Sequence, residues 1–113
     1  MKKIFISQPM NGLTDEEIKE NKSEAIERLK KFMCGEEFEI IDSFFETAPH
    51  DAKPLWFIGK SIELMADADY VLFLYGWDEA RGCRIEHICA QEYGVQAIYL
   101  HGDNSEEVQN GQR

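Results

Sequence analysis

The chain of 113 residues carries 22 acidic against 12 basic residues, a formal net charge of −10, with 43% hydrophobic residues. That length builds one domain around a single core, not two. Binding a large nucleic acid by counterion release needs a basic face that this charge balance excludes, and no apolar run approaches the length of a membrane span. Neither a large nucleic acid nor a membrane is therefore an expected partner.

Met1-Lys2-Lys3 leads straight into a strand-like segment without the apolar core and cleavage site of a signal peptide. The three cysteines, Cys34, Cys83 and Cys89, include no Cys-x-x-Cys pair. Reduced thiols and a cytoplasmic location are expected.

Residues 2–7, Lys-Lys-Ile-Phe-Ile-Ser, predict a first strand, and the proline and glycine of Gln8-Pro9-Met10-Asn11-Gly12-Leu13 predict a defined turn after it. Thr14-Asp15-Glu16-Glu17 is a capping box that starts a helix running to about Met33, with Ile18, Ala25, Ile26, Leu29, Phe32 and Met33 facing inward. Gly35 is expected to close it. Residues 38–43 predict a second strand. The irregular stretch 44–53 follows, holding His50 beside Asp51, an acid/base pair if the loop folds over a site and a solvated one otherwise. Pro54 opens a second helix through Ala66, with Leu55, Ile58, Ile62 and Met65 as its core face.

Residues 70–75, Tyr-Val-Leu-Phe-Leu-Tyr, form a continuous apolar run after Asp69, the pattern of a strand buried on both faces of a parallel sheet. Gly76 ends it. From about Ala80 to Tyr93 a third helix places Gly82, Cys83, Glu86, Cys89, Ala90 and Tyr93 on one face, with Glu86 at its centre. A carboxylate amid small and apolar neighbours, just past the C-terminal end of a buried strand, lies where open α/β sheets place their ligands. It either serves chemistry there or pairs with Arg81 or Arg84 at the edge of the stripe. Cys83 and His87, one helical turn apart, lack a companion pair of ligands, so no metal site is expected. Residues 96–100 predict a fourth strand. The domain is expected to span 1–101, with residues 102–113 as a polar, mobile tail.

Alternation of strand and helix implies an α/β doubly wound parallel sheet of four strands in the order 2-1-3-4, with helices on both faces. Strands one and three are then neighbours, and the 8–13 turn meets the 76–86 segment over one crevice. Trp56, Phe57, Tyr75 and Trp77 surround it, and Trp77, just after the strand-ending glycine, is the candidate for stacking on a base.

Three segments together resemble the nucleoside 2-deoxyribosyltransferase-like superfamily, over residues 3 to about 100: Lys-Ile-Phe-Ile-Ser-Gln-Pro-Met-Asn-Gly at 3–12, residues 69–77, and Gly82-Cys83-Arg84-Ile85-Glu86 with Ala90 and Gly94. The likeness is to its short bacterial and phage members. The resemblance implies a flavodoxin-like sheet, a crevice for a small-molecule nucleoside or nucleotide, no cofactor, and a homo-oligomer in which a neighbouring subunit often completes the pocket. The superfamily's nucleophilic glutamate, which attacks the anomeric carbon of a deoxyribosyl unit and releases the base, matches Glu86. Passing the sugar to another base makes a deoxyribosyltransferase, and passing it to water makes a deoxynucleoside 5′-monophosphate N-hydrolase or related glycosidase.

The resemblance also implies that Ser7, Gln8, Pro9, Met10, Asn11 and Gly12 line the substrate pocket from the first loop, facing Gly76, Trp77, Ala80, Arg81 and Gly82 from the other side. Relatives usually carry an aspartate in the helix before strand three, where Ser61 stands here, and many carry a phosphate-binding serine where Ala80 stands. Asp67 or Asp69 is the candidate to supply the missing carboxylate, although Asp69, directly before the strand, is also placed for a structural role, and Arg81 is the candidate for the missing phosphate contact. Two other readings stay open: a non-catalytic nucleotide-binding module, and an NAD-cleaving glycohydrolase of related architecture.

Overall fold

The structure, a computed structural model, describes residues 1–41 and 50–109. Strand β1 is Lys2–Ser7, with residues 4–7 buried. Helix α1, Asp15–Met33, starts on the expected capping box: the Glu17 amide donates to Thr14 Oγ1 at 3.1 Å and the Thr14 amide to Glu17 Oε1 at 2.9 Å. Three acidic residues in its first turn and two lysines in its last complement the helix dipole. Its left-handed end falls on Cys34, at φ 52°, and Gly35 follows at φ 88°. The helix therefore stops one residue before the expected glycine.

Strand β2 is short, Phe38–Ile40, although the Ile41 amide still donates to the Ile4 carbonyl at 2.8 Å. The remainder of the expected strand, and residues 44–49 of the connection after it, lie outside the described residues. Helix α2, Pro54–Met65, strand β3, Tyr70–Phe73, helix α3, Arg81–Glu92, and strand β4, Gln96–Leu100, follow, with one 3₁₀ turn at Trp77–Glu79 before α3. Tyr93, expected on the inner stripe of α3, instead lies just past its end and is 83% exposed.

Strands β1 to β4 are parallel and run 2-1-3-4, as the alternation predicts. A fifth strand, β5 (Glu106–Gln109), then pairs antiparallel with β4, giving a five-stranded mixed sheet in the order β2-β1-β3-β4-β5. This corrects the four-stranded, all-parallel expectation and puts residues 106–109 of the expected tail into the sheet. Polar contacts that no apolar pattern reveals attach this strand. Arg28 Nη2 donates to the His101 and Ser105 carbonyls at 3.2 and 2.8 Å and to Glu106 Oε2 at 3.2 Å, and Tyr99 Oη donates to Gln109 Oε1 at 3.2 Å.

Both faces of the sheet are covered, which explains the unbroken apolar runs. One face packs Ile4, Ile6, Leu72, Leu74, Ile98 and Leu100 against Ala25, Leu29 and Met33 of α1. The other packs Phe5, Val71, Phe73, Ala97 and Tyr99 against Met65 of α2 and Ala90 of α3. Helix α2 departs from its expected face. Ser61 and Met65 are buried, while Leu55 is 80% and Ile62 36% exposed. Among the described residues, no helix is long and apolar enough to cross a membrane.

Leu29 has no exposed surface, so Leu29→Ala is expected to destabilise the fold by about 2–5 kcal/mol. Thr14→Ala, which removes only the cap, is expected to cost about 1 kcal/mol. Urea unfolding of the two variants measures both, and equal losses would contradict the placement of Leu29 at the centre of the α1 face.

Candidate functional site

Strands β1 and β3 pair with Ser7 level with Phe73. The chain leaves β1 for α1 over one face of the sheet and leaves β3 for α3 over the other, so the two C-terminal edges form the switch point of the sheet. Side chains alternate along β1, which turns Ser7 to the same face as Phe5, toward α2 and α3. Glu86, in the second turn of α3, meets it there: Ser7 Oγ donates to Glu86 Oε1 at 2.6 Å. Ser61, buried on α2, also acts on this carboxyl and favours its ionised form. Ser7 is 1%, Glu86 7% and Ser61 9% exposed, so all three polar groups share one buried junction of sheet and helices.

Burial pushes the Glu86 carboxyl above its usual 4.5, and Ser7 and Ser61 oppose that rise without cancelling it. Among the described residues, no arginine pairs with it. Arg81 is exposed, and Arg84 Nη1 reaches the Asp78 carbonyl at 3.5 Å. Cys83, one turn earlier on α3, is buried on the same face. Burial pushes its thiol up to about 11, with Ser7 opposing and the Glu86 charge adding.

Asp69 belongs elsewhere. Its Oδ2 accepts from the Lys3 amide at 2.7 Å and its amide donates to the Lys3 carbonyl at 2.8 Å, so it closes the ladder where β1 and β3 begin. Four residues of strand, about 13 Å, separate that edge from the edge that carries Ser7. Asp69 therefore lies at the opposite end of the β1/β3 pair from Ser7. Gln8 Nε2 donates to the Ile18 carbonyl at 3.1 Å and ties the first loop to α1. Met10, Asn11 and Gly12 lie on the outer surface. Pro9 comes against the Gly76 turn, where a Cβ would sit 3.7 Å from Pro9 Cγ and the backbone needs φ 90°. Ala80 is the N-cap of α3, without a side-chain cap, and Gly82 packs on Ile58 of α2.

Trp77 is an inner member of an aromatic group. Its ring lies 4.2 Å from His87, 5.3 Å from Phe73 and 5.7 Å from Tyr99, centroid to centroid. His87 Nε2 is 2.6 Å from Tyr99 Oη, and burial pushes the imidazole below its usual range. His87 thus turns into the aromatic group toward Tyr99. His50 and Asp51 are exposed in the turn before α2.

A surface groove of about 1130 Å³ lies on the α1 side, between Pro9, Arg28, Tyr75 and the 101–107 segment. A smaller one of about 390 Å³ lies between Trp77, His87, Tyr99 and β5. Glu86 lines neither. The sequence singles out Glu86 and Ser61 but does not reveal the bond between Ser7 and Glu86. The available signal was Ser7 itself, a polar residue closing the strand run Ile4-Phe5-Ile6.

A family model matches residues 2–99. The chain belongs to the family described as a domain of unknown function, DUF4406. The DUF4406 match takes in β1 through most of β4, including Ser7, Ser61, Cys83 and Glu86, and leaves β5 outside. No curated protein and no solved structure matches the chain.

Because the folded-state value of Glu86 lies above 4.5, the folded protein binds more protons than the unfolded chain between 4.5 and that raised value. The Glu86 contribution to stability is fully present below 4.5 and is lost as pH rises through the window. Glu86→Gln is therefore expected to gain stability relative to wild type as pH rises from 4 to 8, read as urea midpoints at each pH. Parallel pH profiles for the two proteins would contradict a buried, poorly compensated carboxylate.

Proposed function

We propose that this protein is a nucleoside or nucleotide N-glycosidic-bond enzyme on a flavodoxin-like frame, with Glu86 as its nucleophile. The observation that carries this reading is the buried Glu86 carboxyl at the β1/β3 switch point, held by Ser7 at 2.6 Å, with no cation paired with it among the described residues. The resemblance to the nucleoside 2-deoxyribosyltransferase-like superfamily supplies the substrate class. Retaining glycosidases use a carboxylate in the same way on an oxocarbenium-like centre.

In the first step a Glu86 oxygen forms a bond to the anomeric carbon and the carbon–nitrogen bond breaks. The electron pair leaves on the base nitrogen, which takes a proton from water. In the second step water, or the nitrogen of another base, attacks the same carbon. The ester bond breaks, Glu86 leaves as a carboxylate, and the attacking atom releases its proton. A raised carboxyl is more basic and so a better nucleophile once ionised, at the cost of requiring a higher pH.

Glu86 also ties α3 to β1 through Ser7, and it lines neither described groove. That favours, as the second reading, a nucleotide-binding module whose glutamate is structural. Base release from a panel of nucleosides, nucleotides and NAD separates the readings. Glu86→Gln is expected to lower the rate by at least about 10³-fold while binding survives. A 2-deoxy-2-fluoro nucleoside is expected to leave a sugar mass on the peptide containing Glu86. Near-normal turnover in the Gln variant, or a label on another carboxylate, overturns the assignment, and binding without turnover by the wild type selects the module.

Self-association is part of the proposal. Leu55 at 80% exposed on the most apolar helix, with Ile62 and Phe57 partly exposed beside it, supports an interface on α2. Light scattering in the tens-of-micromolar range, on the order of the affinity of a moderate homodimer, is expected to give a dimer mass that Leu55→Glu reduces to the monomer. A monomer in the wild type removes this element.

A further inference from the structure

The smaller groove, about 390 Å³ in volume, runs between the end of β3, helix α3 and strand β5, and three of its walls are aromatic: Tyr75, Trp77 and Tyr99. That volume suits a small ligand. Tyr99 is buried and forms the floor, whereas Tyr75 is exposed and Trp77 half-buried, so both present ring surface to the groove. Tyr75 is also held in place. Its ring lies against Gly102, where a Cβ would stand 2.9 Å from Tyr75 Cε1.

The polar groups of these walls are largely committed to one another. Tyr99 Oη lies 2.6 Å from His87 Nε2 and donates to Gln109 Oε1 at 3.2 Å. Gln109 Nε2 donates to Glu107 Oε2 at 3.3 Å, and His101 Nε2 stands 3.1 Å from Glu107 Oε1. A nucleobase, which is read by hydrogen bonds along its edge, finds few partners there. The charge is one-sided as well. Asp78 and Glu107 line the groove and no lysine or arginine among the described residues does, in a chain of net charge −10. Arg84, whose Nη1 reaches the Asp78 carbonyl at 3.5 Å, stays outside the lining. Burial holds the His87 imidazole below its usual range, so it adds no positive charge at neutral pH. Aromatic surface, nearby carboxylates and few free hydrogen-bonding groups together describe a site for a cation that makes no hydrogen bonds of its own.

We propose that this groove binds a small quaternary ammonium compound, with the cation against Tyr75 and Trp77 and the carboxylates of Asp78 and Glu107 holding it by charge. Glu86 does not line the groove, so this site stands whether or not Glu86 is a nucleophile.

The test follows the two indole N–H signals by proton–nitrogen NMR at pH 8, above the ordinary imidazole range, as choline chloride is added against equal sodium chloride. Trp77→Phe assigns the signals, and Trp56, on α2 and outside the groove, is the internal reference. Choline is expected to shift Trp77 and leave Trp56 in place. Its neutral isostere 3,3-dimethyl-1-butanol, with carbon in place of the nitrogen, is expected to bind at least about tenfold more weakly. Tyr75→Leu keeps apolar area without the ring and is expected to weaken choline binding about threefold, as is the double variant Asp78→Asn with Glu107→Gln. All three positions are exposed, so the fold does not depend on them. A silent Trp77 signal at about 100 mM choline, far above the millimolar range of a weak specific site, overturns the proposal. Equal affinity for the neutral isostere overturns it too, as does unchanged binding in both variants. A Trp77 shift with adenine and none with choline overturns it in favour of a base platform.

Discussion

The parallel pairing of β1 with β3 is the constraint on which every chemical feature of this molecule depends. It sets Ser7 level with Phe73 and brings two C-terminal strand edges together, while the connections leave over opposite faces. Only that divergence lets a residue on α3 reach the end of β1. Glu86 and Ser7 are 79 positions apart, and no local signal joins them. The hydrogen bond between them is a product of topology, and the right-handed crossovers that generate the topology follow from strand twist.

The parts of this arrangement that follow periodicity were legible in the sequence. Strand runs at β1, β3 and β4 declared themselves because both sheet faces are buried, and α1 because its capping box and apolar stripe agree. The α3 stripe pointed to Glu86 because a carboxylate among Cys83 and Ala90 has no water to rely on. An aspartate before a strand, such as Asp69, looks the same in sequence whether it caps the backbone or serves a ligand, and the Lys3 contacts give it the backbone position. Strand β5 was illegible for a different reason. Glu-Glu-Val-Gln carries no apolar alternation, and Arg28, which holds it, is 78 residues away from Glu106. Its position beyond the family match fits an addition to a core that was already complete.

Helix α2 inverts the usual rule, with a serine inside and a leucine outside. Pattern reading assigns the inner face to whichever residues are apolar, so it put Leu55 in the core and ranked Ser61 on resemblance alone. Ser61 is buried there on the side of Glu86, whose ionised form it favours. Trp77 is a parallel case. It follows Gly76 in the 3₁₀ turn, with the indole against His87 at 4.2 Å. One side of the ring packs on the core while the residue stays half-buried and lines the smaller groove.

The choice of partners around Glu86 carries the functional argument further than the presence of the residue alone. An arginine in contact would favour the charged form, lower the carboxyl's basicity and occupy its lone pairs bidentately. A second carboxylate at position 61, as the resemblance would have it, would set two like charges against each other and raise one of them strongly. Serine does neither. A hydroxyl donates one directed hydrogen bond without bringing a charge, so Ser7 orients the carboxyl and Ser61 favours its ionised form while burial still governs its proton affinity. The departure from an aspartate at this position removes one acid/base group, and what remains is a single carboxyl whose ionisation depends on neutral neighbours and on the degree of burial. Any chemistry at this junction is therefore expected to run through one titrating group, and to respond to changes at Ser7 more than to changes in surface charge or salt.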